Sequence, residues 1–337
     1  MPLEYRKDID GLRALAVLAV LLFHCNLGLT GGFVGVDIFY VISGYLIVGL
    51  IEADLSAGRF SFRRFYERRI RRLYPALFLV LAVTSVWAVW RMLWVDLQDY
   101  ARSLLSVITY LSNVQFYRES GYFTEEATIK PLLHTWSLAV EEQFYLIVPP
   151  LLVLAHRWLP RRGRIGLWAV LVALSFALCV VVIGRDKAAA FYLLPTRAWE
   201  LGLGGLVALT GTAWVARSRP LAEMLGLGGL AAILWAMINF NGNVPFPDER
   251  AALPVLGAVA VIMAGSGRQT LVARLLSISP AVFIGRISYP LYLWHWPLIV
   301  MVVYGRYAPL SRKEALIVIA GSLILSVLTW WFVEQPI

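Results

Sequence analysis

Leu12-Arg13-Ala14-Leu15-Ala16-Val17-Leu18-Ala19-Val20-Leu21-Leu22-Phe23-His24 lies inside the first membrane-length apolar run of the chain. A cation opens this stretch and an imidazole closes it. Arg13 and His24 are 11 residues apart. Eleven steps at 3.6 residues per turn return to within roughly 20° of the starting direction, so a helix puts both side chains on one face. At 1.5 Å per residue they are about 16 Å apart along the axis, roughly half the hydrocarbon thickness of a bilayer. Ionisable groups in a membrane helix are costly unless they face protein or water, which makes both residues functional candidates.

The rest of the chain extends this reading. Of 337 residues, 60% are hydrophobic, 13% aromatic and 15% charged, and the mean hydropathy is +0.72. A soluble domain carries about 25% charged residues. Apolar runs of about 17 to 25 residues recur along the length, which predicts an all-α, polytopic integral membrane protein. The alternating pattern of a membrane β-barrel is absent. The first run has no small-residue cleavage site after it, which argues against a removable signal peptide. The net charge of +9 comes from arginines between apolar runs. Such charge reports topology and does not point to nucleic acid. Cys25 and Cys179 lie in apolar runs without metal-ligand spacing and read as packing or lipid-facing residues.

Candidate spans are 10–29, 35–54, 73–95, 99–117, 135–155, 165–184, 195–212, 221–240, 251–266, 281–304 and 313–333. Arg59, Arg63, Arg64, Arg68, Arg69, Arg71 and Arg72 place the 55–72 connection in the cytoplasm, and Arg157, Arg161, Arg162 and Arg164 do the same for 156–164. Both hold only if an odd number of the segments between them fails to span. The weakest is 99–117, interrupted by Arg102, Ser103, Ser106, Thr109, Ser112, Asn113 and Gln115. It is expected to be a re-entrant or interfacial helix on the outer side. About ten crossings remain, with both termini cytoplasmic. Arg217, Arg219, Arg268 and Arg274 fall in the other inner loops, while Arg306, Arg312 and Lys313 are a mild outer exception. The outer segment 96–134, with Tyr117-Arg118-Glu119-Ser120-Gly121-Tyr122-Phe123-Thr124-Glu125-Glu126, is expected either to line a substrate mouth or to form a passive cap. No internal repeat is evident.

Several polar residues fall in or beside the predicted spans. Asp37 follows Gly31-Gly32-Phe33-Val34-Gly35, where it either orients His24 or caps the second helix. Ser137, Glu141 and Tyr145 follow i, i+4, i+8 in the run that begins His134-Thr135-Trp136. Glu141 and its neighbour Glu142 need partners or protons within a bilayer, and a buried arginine is the simplest partner. Arg197 and Glu200 are three apart, which favours a structural ion pair inside one helix. Ser288, Tyr292 and His295 follow i, i+4, i+7. That face is expected to approach His24, although His295 between two tryptophans also reads as a packing histidine.

These stretches together resemble the bacterial membrane acyltransferase-3 family. Arg13 with ten residues before His24 is similar to its first signature, and Gly32-Phe33-Val34-Gly35-Val36-Asp37-Ile38-Phe39-Tyr40-Val41-Ile42-Ser43-Gly44-Tyr45 to its second. Arg69-Ile70-Arg71-Arg72-Leu73-Tyr74-Pro75, Trp136 to Tyr145, Ser288 to Pro297 and the terminal Phe332-Val333-Glu334-Gln335-Pro336 continue the resemblance in order.

The resemblance implies one membrane domain over 1–337 in the bacterial cytoplasmic (inner) membrane. It implies transfer of an acetyl group from cytoplasmic acetyl-CoA to a hydroxyl of an outer-face glycan, such as O-antigen or another envelope polysaccharide, without a metal. In this scheme Arg13, Arg69 and Arg72 hold the CoA phosphates or the thioester arm. His24, oriented by Asp37 or Glu142, is the general base. Glu141, Ser288, Tyr292 and His295 are the expected acceptor-side residues, with Ser288 or Tyr292 as the nucleophile if a covalent acyl-enzyme forms. Many relatives with these segments carry an outer SGNH-type domain, so the chain is expected to be either a membrane module of a longer protein or a naturally short relative. A proton-coupled secondary transporter is the rival, since intramembrane charges also mark transport pathways. The lack of repeats and of paired broken helices counts against it.

Overall fold

The computed structural model describes residues 5–119, 129–242, 246–267, 269–306 and 308–336. Arg268, and the part of the outer segment at 120–128, lie outside the described residues. In chain order the helices are α1 (Lys7–His24), α2 (Gly35–Ser56), α3 (Phe62–Arg91), α4 (Trp94–Ile108), α5 (Ser112–Glu119), α6 (Trp136–Trp158), α7 (Arg161–Ile183), α8 (Lys187–Tyr192), α9 (Leu194–Thr210), α10 (Ala213–Ala216), α11 (Arg219–Asn239), α12 (Ala252–Ala264), α13 (Leu271–Leu276), α14 (Ser279–Arg286), α15 (Ser288–Val303) and α16 (Arg312–Thr329). No strand occurs among the described residues.

Six of these helices, α2, α3, α6, α7, α11 and α16, are long and apolar enough to cross a bilayer among the described residues. The other four expected crossings fall on α1, α9, α12 and α15, of 18, 17, 13 and 16 residues. Leu167, Val170, Leu171, Leu174, Leu178 and Val181 of α7 all point outward. Water would penalise such a face and lipid does not. The chain is a multi-pass membrane protein.

Three expected boundaries move. The arginines Arg63 to Arg72 do not form a loop. They are the first turns of α3, whose N-cap Ser61 accepts a hydrogen bond from the Arg64 amide at 3.5 Å. Arginine is a good helix former, so charge excludes the segment from the bilayer core without breaking the helix. The 99–117 segment is broken into α4 and α5, where Tyr110 adopts a left-handed backbone (φ 54°) between them. The 281–304 segment is likewise divided, α14 ending at Arg286 and α15 starting at Ser288.

The chain forms two compact units. The first comprises 1–20, 29–60 and 141–286, the second 21–28, 61–140 and 287–337. In the first, α2 and α9 pack face to face. A Cβ at Gly44 would strike the Leu201 carbonyl oxygen, and one at Gly204 would strike that of Val41. Small residues that let backbones approach this closely are a principal means of helix association in lipid. The α11–α12 pair is built the same way around Gly229 and Gly257.

The second unit buries Ala76, Leu77, Val80, Leu81 and Ala88 of α3 with Tyr100, Val107, Leu132, Leu293 and Trp294. The Trp294 indole N–H donates to Thr329 Oγ1 at 2.9 Å, tying α15 to α16. The Tyr289 hydroxyl donates to the Leu73 carbonyl at 3.0 Å, tying α15 to α3. Ser311 and Glu314 form a reciprocal capping box at the start of α16.

Candidate functional site

In the second unit, three histidines converge. His24 is the last residue of α1, His134 lies in the 3-10 turn Leu133–Thr135, and His295 is in α15. His24 Nδ1 is 2.9 Å from His295 Nε2, and the two rings are near-parallel (13°) with centroids 5.2 Å apart. The Trp296 ring meets His24 edge-on at 4.8 Å, and its indole N–H donates to the Lys130 carbonyl at 2.9 Å. His134 lies 5.7 Å from the His295 ring and 5.5 Å from that of Tyr292. Among the described residues no group of histidine, cysteine or carboxylate side chains has the geometry to hold a metal.

Tyr292 holds this turn to α15. Its hydroxyl donates to the His134 carbonyl at 2.9 Å. Ser137 Oγ also reaches the His134 carbonyl at 3.2 Å and lies 2.6 Å from Tyr292 Oη, a contact in which either hydroxyl can donate. Ser288, four residues before Tyr292, is fully buried, and its hydroxyl makes no hydrogen bond among the described residues.

Arg69 and Arg72 are one turn apart on the charged start of α3, Arg69 half-buried and Arg72 exposed. This spacing lets two guanidinium groups meet one polyanion.

In the first unit, Arg197 of α9 stands between two carboxylates. Its Nη2 is 2.9 Å from Asp37 Oδ1 and its Nη1 is 2.9 Å from Glu200 Oε1, with side-chain exposures of 1% or less for all three. The guanidinium also lies 5.4 Å from the Tyr40 ring centroid and 5.9 Å from those of Phe191 and Phe246. Elsewhere in this unit Arg13 pairs with Asp10 at 3.7 Å. Asp10 accepts from the Tyr5 hydroxyl at 2.6 Å, and Arg286 donates to that hydroxyl at 3.1 Å. Glu141 accepts from the hydroxyls of Ser43 and Tyr145.

Against this geometry, the acyltransferase-domain family matches residues 6–331. The chain belongs to the acyltransferase-3 family. It is therefore an acyltransferase. It is 35% identical over 99% of its length to BcsY of Komagataeibacter xylinus, named as a candidate membrane-bound transacylase, and covers 83% of that protein. It is 31% identical over 99% of its length to the O-acetyltransferase OatA of Staphylococcus aureus (strain NCTC 8325 / PS 47). It is 35% identical, again over 99%, to YrhL of Bacillus subtilis (strain 168), named as a candidate peptidoglycan O-acetyltransferase. The chain spans 57% of OatA and 55% of YrhL. No solved structure matches.

For this acyltransferase, the structure sorts the residues singled out by sequence. Of the stripe on α15, His295 meets His24, and Tyr292 meets His295 and His134. The i, i+3 pairing of Arg197 with Glu200 is present. Asp37 does not cap α2. The 3-10 turn Gly32–Val34 runs straight into the helix, whose N-cap is Val34, and the Asp37 carboxylate is engaged by Arg197. His24 Nδ1 meets His295, while Asp37, one of the two residues expected to orient His24, meets Arg197. Glu141 meets the hydroxyls of Ser43 and Tyr145, and Glu142 is half-buried on α6. His134 was not among the expected site residues. Its only sequence signal was its place immediately before the Trp136 stretch, where a histidine ordinarily reads as an end-of-helix residue.

Proposed function

We propose that the chain transfers an acetyl group from acetyl-CoA on the cytoplasmic side to a hydroxyl of a cell-envelope glycan on the outer side, with His24 as the general base. The observation that carries this reading is the half-buried His24–His295 contact in a chain of the acyltransferase-3 family. His24 is held by the rings of His295 and Trp296, which is the pre-organisation a general base requires.

The reaction balances simply. His24 takes the proton of the acceptor hydroxyl as its oxygen attacks the thioester carbonyl. The C–S bond breaks, and the CoA thiolate takes up the proton. Arg69 and Arg72 hold the CoA phosphates, and Arg13, on the same continuous helix as His24, holds the acyl-bearing arm. Asp37 is assigned to the Arg197 network. Glu141, Glu142, Ser288 and Tyr292 are assigned to the acceptor side. The O-acetyltransferase names of OatA and YrhL support acetyl as the group moved, and the peptidoglycan named for YrhL supports a glycan acceptor.

The test is binding and turnover of acetyl-labelled acetyl-CoA by purified protein in lipid, wild type beside His24→Ala. Loss of the acetyl group from CoA that disappears in the variant is expected. A folded wild-type protein that neither binds nor turns over acetyl-CoA would overturn the reading.

A further inference from the structure

We propose that His295 is the positioning residue of acyl transfer: it fixes His24 as the Nδ1–H tautomer, so that the basic lone pair lies on Nε2. This inference rests on the reading of His24 as the base.

The argument is one of proton counting. His295 Nδ1 lies 2.6 Å from the Tyr292 carbonyl oxygen. A carbonyl only accepts, so His295 Nδ1 carries the proton. A neutral imidazole holds one ring proton, which leaves His295 Nε2 with a lone pair. That nitrogen is 2.9 Å from His24 Nδ1. A hydrogen bond there has one donor, and it is His24 Nδ1–H. The remaining lone pair of His24 lies on Nε2.

The alternative is a His295 imidazolium, which would donate from both nitrogens. His295 is 1% exposed. Among the described residues, the titratable rings that meet it are His24, His134 and Tyr292, and none of these is an anion. A buried cation without an anion is strongly disfavoured.

The relay is anchored at both ends. Tyr292, whose carbonyl terminates it, is held through its hydroxyl to the His134 carbonyl at 2.9 Å. Trp296, whose ring meets His24 edge-on, is held to the Lys130 carbonyl at 2.9 Å. His24 closes α1, so these contacts and not a helical rotamer alone set its ring. In a histidine of this kind, the nitrogen that bonds the supporting group decides which nitrogen is left for chemistry. Here a neutral imidazole fills the place a carboxylate commonly takes. When His24 Nε2 receives the acceptor proton, the new positive charge strengthens the Nδ1–H bond to His295, and His295 itself neither gains nor loses a proton.

Free neutral histidine favours the opposite, Nε2–H, form, so the tautomer is a direct readout. The full chain, labelled with 15N-histidine and held in lipid nanodiscs, is measured by nitrogen NMR as wild type and His295→Phe. Wild-type His24, assigned by its loss in His24→Ala, is expected to show a protonated Nδ1 and an unprotonated Nε2, and His295→Phe is expected to lose that preference. Wild-type His24 found as Nε2–H would overturn the inference without any turnover measurement. In parallel, thiol release from acetyl-CoA is followed with N-acetylglucosamine pentamer as the acceptor probe. His295→Phe is expected to lower kcat by about a hundredfold while KM for acetyl-CoA changes by about twofold or less. His295→Gln, whose amide oxygen can accept from His24 Nδ1–H, is expected to recover most of that loss. Equal damage in both variants, or full activity in His295→Phe, would overturn the inference while leaving His24 as base. Full activity in His24→Ala would overturn the base itself.

Discussion

Replacing Arg197 by Met removes, among the described residues, the cation in contact with both Asp37 and Glu200, and the loss follows from what is left behind. Both carboxylates are fully buried and each lies 2.9 Å from the guanidinium. Stripping one partner from a buried ion pair costs about 3–5 kcal/mol, because the stranded charge cannot return to water. At about 1.4 kcal/mol per decade, that lowers the folded-to-unfolded ratio by roughly two to three and a half orders of magnitude. Asp37→Asn or Glu200→Gln behaves differently. Each leaves one carboxylate matched to one guanidinium, and the expected loss is about 1.5 kcal/mol or less, the scale of one charged hydrogen bond. The triple variant Arg197→Met, Asp37→Asn, Glu200→Gln should recover most of the Arg197→Met loss, since it strands no charge. The assay is equilibrium unfolding in mixed micelles at increasing denaturing-detergent fraction, followed by tryptophan fluorescence. Arg197→Met no less stable than Glu200→Gln would refute the reasoning, as would a triple variant no better than Arg197→Met alone.

His24→Ala is expected to abolish acetyl transfer while leaving expression near wild type, checked by thiol release per mole of folded protein. Arg69→Ala with Arg72→Ala should weaken acetyl-CoA binding by at least about a hundredfold, since each removes a charge-assisted contact worth about 1.5 kcal/mol or more; unchanged affinity in a binding titration would refute the assignment. Gly44→Leu drives a side chain into the Leu201 backbone and should destabilise by more than about 3 kcal/mol, beyond ordinary overpacking, because backbone cannot step aside. A wild-type unfolding midpoint would count against the close α2–α9 contact. Tyr292→Phe removes the bond to the His134 carbonyl. It should cost about 1 kcal/mol in the same unfolding assay and lower kcat more than it raises KM.

Much of the architecture was legible without coordinates, because it is local. Span-length apolar runs predict helices, since no other open structure satisfies its backbone in lipid. The pairing of Arg197 with Glu200 is also local, three residues apart on one helix. Boundaries were less legible. The charge rule places Arg63 to Arg72 in the cytoplasm but is silent on their conformation, and they continue α3. Similarly, the polar residues of 99–117 showed that it is no ordinary span, but not that Tyr110 would divide it.

The sequence by itself determined that this chain is helical and membrane-bound, and which polar residues would need partners there. Periodicity assigns a residue to a face of its own helix and says nothing about the helix opposite. Asp37 therefore read equally well as a cap or as a partner of His24, and only packing sets it against Arg197. His24 and His295 are separated by 271 positions, and His134 enters their cluster from a short turn with no pattern of its own. Those contacts join residues far apart in the chain, where no local pattern operates, so the tertiary structure alone decided the partners of Asp37, His24 and His134.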